Sequence, residues 1–259
     1  MMHSIMKNKR ALQTLLAVCF WLAVWQIAAM AMQQEFLLAS PLRVLQRLVA
    51  LAGTAEFWVA VAVSIGRILM GFVLAVVGGV IIAAATARWR LASVLMQPLL
   101  STVKAVPVAS FILLALLWLD TGAVPVFSSF IMVLPMVWSN VEQGIRQTDQ
   151  ALLEMARCYR FSRWKLLKLV YIPSVLPYFQ AALASGIGMA WKSGVAAEVL
   201  CVPATGLGRD LYYAKIYFET PDLFAVTVTV VVLSLCMERL MMWCTRRWAL
   251  EGEKAHEDR

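Results

Sequence analysis

Lys192 and Glu198 are the only charged residues between Lys168 and Arg209. A charge at the bilayer centre costs about 2.5–3.5 kcal/mol on insertion scales, so intramembrane charges mark ion or solute handling more often than packing. Six residues apart, the two are rotated by about 240° on a helix and do not face each other. Each therefore needs its own partner, or the helix breaks between them. Two readings stand. One or both line a translocation path, where Lys192 would attract an anion; or both are structural, or Glu198 lies at the outer interface.

A second constellation precedes them, from Asp149 to Pro173. Asp149 is a suitable N-cap, and good helix formers follow from Gln150 to Tyr159. Leu152, Met155, Ala156 and Tyr159 recur at helical spacing, giving this short helix one apolar face. Ser162 can cap a second helix that leads towards Pro173. Such a knob could transmit displacement as a rigid body, where a floppy loop would absorb it. Its basic residues, among them Arg157, Arg160, Arg163 and Lys165, suit an acidic partner. The plainer reading is a basic loop whose Glu154 is merely solvated.

Enzymatic chemistry lacks its groups. The two histidines are His3 and His256, near the ends, and neither HExxH, GxSxG nor paired membrane aspartates occur. The five cysteines are odd in number, show no CxxC spacing and read as small hydrophobes, so no metal or cofactor site is expected. No GxxxxGK[ST] loop is present to hold a nucleotide.

The elements that carry these residues are membrane helices. Apolar residues make up 62% of the chain and charged ones 15%, with a mean hydropathy of +0.77. Soluble domains stay near 45–50% apolar. We expect an all-α, polytopic membrane protein of about six spans, near 11–32, 66–87, 103–119, 122–142, 173–198 and 223–245. The third and sixth have uncharged cores too short to span unaided, which snorkelling by Lys104 and Arg239 would extend. Residues 41–53 read as an amphipathic interfacial helix. Residues 91–104 look similar, running into the third span with a bend near Pro107. Lys7, Lys9, Arg10, Arg88, Arg90, the loop charges from Arg146 to Lys168, Arg246, Arg247, Lys254 and Arg259 then share one side. Only Arg43, Arg47, Arg67, Arg209 and Lys215 fall on the other. The positive-inside rule places both termini in the cytoplasm, and the first span reads as a retained anchor. Topology thus accounts for the net charge of +8, and nucleic-acid binding is not expected.

Glu154-Met155-Ala156, followed by Val170-x-Ile172-Pro173, resembles the EAA loop of ABC importer permeases, in which a Gly and then I-x-L-P follow the triplet. Ser64-x-x-Arg67-x-x-x-Gly71-Phe72, Ala190-Trp191-Lys192, Val195-Ala196-Ala197-Glu198 and Gly206-Leu207-Gly208 resemble motifs of the branch that handles nitrate, sulfonates and taurine. Two departures stand out within these elements. Met155 replaces the middle alanine, and Arg160 occupies the family's glycine. Trp118-Leu119-Asp120-Thr121-Gly122 also diverges from the family's W-F-G-x-G.

The resemblance implies a type I importer permease in a bacterial inner membrane, carrying a small anionic solute by alternating access. Glu154, Met155, Ala156, Arg157 and Arg160 would dock an ABC ATPase, with Ile172 and Pro173 fixing the base of the loop. ATP and Mg would belong to that ATPase, an extracytoplasmic binding protein would deliver substrate, and two permease copies would enclose the path within lipid. The corresponding division is an anchor and interfacial helix over 1–56, a permease core over 57–247 with its coupling loop at 144–168, and a tail over 248–259. A stand-alone secondary transporter is the rival reading; repeated halves with facing broken helices would favour it.

Overall fold

In the computed structural model of the chain, the described backbone covers residues 2–32 and 37–257, all helices and connections without a strand. The side chains of residues 2–12, 14, 15, 246 and 248–257 lie outside the description. His3, His256 and the terminal charges Lys7, Lys9, Arg10, Arg246, Lys254 and Arg259 fall among these residues or at the undescribed end.

Among the described residues, four helices are long and apolar enough to cross a membrane: α3 (Ala55–Arg88), α6 (Val124–Arg146), the stretch ending in α9 (Ile172–Cys201), and the first part of α11 (Thr220–Glu257). The all-helical, several-span architecture is as expected, with four such helices, or five if a bent pair counts as one span, among the described residues where about six were expected. In place of the span at 103–119, α4 (Arg90–Ala105) and α5 (Val108–Ala115) are bent by 101° at Val106–Pro107. Pro107 supplies no N–H to continue the helix, so the chain turns there. The bent pair counts as at most one broken or re-entrant span. Of the expected first span at 11–32, the described side chains cover the apolar stretch Leu16–Met32 of α1 (Met2–Met32).

The chain forms two compact units. One takes in Met1–Val59 and Asp210–Val230; the other takes in Ala60–Arg209 and Val231–Arg259. The first unit thus gathers a late segment with the early helices, a grouping no local pattern announces.

Within the first unit, Ser40 caps α2 (Pro41–Ala52) by accepting from the Arg43 N–H. Val44 packs with Ala39 and Ala225, bordered by Trp25, Leu48 and Phe224. Arg47 pairs bidentately with Asp222, its Nη2 donating to Oδ2 at 2.7 Å. That carboxylate raises the Arg47 pKa above its ordinary value.

The second unit is built on α6 against α9. Small residues let the two backbones come close. Ser128 donates to the Ser193 carbonyl at 3.1 Å and Ser129 to the Ala190 carbonyl at 3.0 Å. A methyl on Gly194 would stand 2.7 Å from Ser129 Oγ, so only glycine permits this approach. Ile68, Val133, Val137, Ile187 and Trp191 fill the core.

Candidate functional site

Two sites emerge, one at each end of α9. At its start, α7 (Gln150–Cys158) and α8 (Arg163–Leu166) form the knob. Asp149 caps α7, its Oδ1 accepting from the Ala151 N–H at 2.9 Å, and Ser162 caps α8 through the Lys165 N–H. Helix α7 ends in a paired turn: the Phe161 N–H donates to the Ala156 carbonyl at 2.9 Å, and the Arg160 N–H to the Arg157 carbonyl at 3.0 Å. This closure requires a left-handed residue at the position after the cap. Arg160 fills it, with φ of 49°. The positive φ that a glycine would serve is therefore present, carried by arginine.

Ala156 alone among the apolar residues of α7 is fully buried. Leu152 and Met155 are each 41% exposed, Tyr159 is 74% exposed and Trp164 on α8 is 72% exposed. Glu154, Arg157 and Arg160 are exposed, as are Ile172 and Pro173 at the start of α9.

A π-helical turn, Leu167–Tyr171, links the knob to α9. Pro173 lacks the N–H that would bond the Leu169 carbonyl, which leaves the ladder open to this wider register. The Ser174 hydroxyl donates to the Val170 carbonyl at 2.7 Å. Sequence patterning does not distinguish a π turn from an α turn, and this feature was missed.

At the other end of α9, Glu198 has no exposed surface. Its Oε2 accepts from Ser64 Oγ at 2.7 Å and from the Gly208 N–H at 3.0 Å. Its Oε1 lies 3.5 Å from Arg67 Nη1, which also donates to the Thr205 carbonyl at 2.5 Å. Ser64 Oγ in turn accepts from the Leu207 N–H at 2.9 Å. Cys201 is tied to the Thr121 carbonyl at 3.2 Å. Three motifs that are separate in the sequence, Ser64-x-x-Arg67, Glu198 and Gly206-Leu207-Gly208, thus close on one carboxylate. Ser64, Arg67 and the two glycines were legible as motif residues, but their shared target was not.

Lys192 does not join this cluster. It is exposed, on a stripe of α9 with Ser185, Met189 and Leu200, and it makes no ion pair among the described residues. Helix α9 runs unbroken past both charges, so Glu198 found its own partners while Lys192 turned the other way. No cluster of side chains suited to a metal occurs among the described residues.

Residues 75–250 match the family described as the binding-protein-dependent transport system inner membrane component. A probable ABC transporter permease protein of Brucella abortus is 29% identical over 84% of this chain and 87% of its own length. The bicarbonate transport system permease protein CmpB of Synechococcus elongatus is 26% identical over 76% and 70%. The taurine transport system permease protein TauC of Escherichia coli is 23% identical over 83% and 80%. In fold, the chain is similar to one from the crystal structure of the bacterial alginate ABC transporter in complex with an alginate-pentasaccharide-bound periplasmic protein. The TM-score is 0.59 at 15% identity, covering 94% of this chain and 96% of that one.

Proposed function

The chain belongs to the family of binding-protein-dependent transport system inner membrane components, and on that premise we propose that it passes a small anionic solute across a bacterial inner membrane as the permease of an ABC importer. It is a transport component rather than an enzyme; ATP, with Mg, would be hydrolysed by a separate ATPase.

The observation that carries this reading is the exposed apolar and basic face of α7 and α8. A short capped helix showing Leu152, Met155 and Tyr159, with Trp164 beside it, offers a partner aromatic and apolar anchors of the kind that dominate interfaces. Glu154, Arg157 and Arg160 frame that face, Ala156 seats it on the fold, and Ile172 with Pro173 fixes its base. An ATPase gripping the knob would move it as a body and pass the displacement through the π turn into α9.

The solute class rests on Lys192. A lysine in the middle of a spanning helix avoids hydrocarbon only by facing water or another protein surface. Its stripe suits a path enclosed with a second permease copy, where the ammonium would draw in an anion. The bicarbonate and taurine permeases among the relatives fit a small, negatively charged group. With both termini in the cytoplasm, the knob meets the ATPase inside and the far end of α9 meets an extracytoplasmic binding protein.

The test is uptake into vesicles holding the permease, its ATPase and its binding protein, with taurine and bicarbonate as probes. Transport of either should require ATP. Lys192→Ala should keep the assembly and lower uptake about tenfold, equivalent to about 1.4 kcal/mol. Uptake without ATP, or unchanged uptake by the variant, would contradict the corresponding half of the reading.

A further inference from the structure

A buried carboxylate is tolerated only where hydrogen bonds and opposite charge replace water. Glu198 meets that requirement with three partners from two separate stretches: Ser64 and Arg67 of α3, and the Gly208 amide beyond the end of α9. Around it, the 202–208 segment is held in backbone shapes that L side chains rarely adopt. Val202 has φ of 46°, a left-handed conformation that a β-branched side chain rarely adopts. Gly206 has φ of +152°, and a methyl there would stand 2.8 Å from the Glu198 carboxylate carbon. Strain of this kind persists where surrounding contacts over-determine the backbone, and it gathers at functional elements.

We infer that Glu198 is a positioning residue whose carboxylate clasps the 202–208 segment to α3, so that the outer end of α9, this segment and α3 move as one body through the transport cycle. The inference rests on the importer reading and assigns Glu198 no contact with substrate. Arg67 serves the clasp from its other side, bridging Glu198 and the Thr205 carbonyl with one nitrogen. Ser64 locks it twice, donating to the carboxylate and accepting from the Leu207 amide. The Cys201–Thr121 contact brings the connection between α5 and α6 to the same place. A segment fastened in this way would keep its shape and move with α3 and α9 while force enters at the far end of α9.

Hydrogen–deuterium exchange on the permease–ATPase complex tests this. In the wild type, the peptide covering 202–209 should stay protected both without nucleotide and with ATP plus vanadate. Glu198→Gln should speed its exchange about tenfold in both states by removing the charge that fastens it. The peptide covering 150–158 should stay as in the wild type, and basal ATP hydrolysis should persist. Gly206→Ala should loosen the same peptide by crowding the carboxylate without changing its charge. Opening of the wild-type segment in either nucleotide state would overturn the single body. Unchanged exchange in both variants, or loosening of 150–158 in step with 202–209, would overturn the clasp. Failure to form any ATPase complex would instead count against the importer reading, and exchange in the isolated permease would still decide the clasp.

Discussion

Arg160 shows how one side chain can report a backbone requirement. Its φ of 49° closes the end of α7, and an L-residue held there costs on the order of 1 kcal/mol more than glycine. Arg160→Gly should therefore raise stability by about 1 kcal/mol, read as a higher thermal midpoint in detergent. A lower midpoint would mean that the arginine side chain contributes more than its backbone costs. The sequence marked this position through its departure from the glycine of the EAA loop, but the sign of φ came only from the turn. Glu198 behaves in the opposite way. Its type and its place in an apolar run were plain, whereas its partners lie 134 and 131 residues earlier, at Ser64 and Arg67. No spacing rule connects residues so far apart, so the cluster could not be assembled without the fold.

Helix α7 is nine residues long, too short to be stable on its own. Its order depends on the Asp149 cap and on Ala156 packed beneath it. Asp149→Ala should cost about 1 kcal/mol of local stability, read as faster amide exchange at the first turn and weaker association with the ATPase. Unchanged exchange there would show that packing alone holds the element. Caps were legible because Asp and Ser at these positions have one dominant local use, and both Asp149 and Ser162 perform it. The bend at Pro107 was legible for the same reason. Its angle of 101° depends on what the helices pack against, so the span expected at 103–119 became a bent pair. The π turn at Leu167–Tyr171 had Pro173 as its only local cue, and a proline alone does not specify it.

For the molecule as a whole, composition settled the class, since no soluble core could hold so much apolar surface. Unit boundaries were less visible: Asp210–Val230 joins the early helices through contacts such as Arg47 with Asp222, which only the folded chain brings together. The central claim is that work enters from outside the chain through α7. Co-purification of the ATPase with wild type and with Glu154→Lys tests it most directly, because the exchange of charge falls on the proposed docking face and touches no core residue. The wild type should hold the ATPase as a stable complex, and the variant should lose at least about tenfold in affinity, or about 1.4 kcal/mol. Equal retention of the ATPase by both proteins, with unchanged uptake, would contradict the claim.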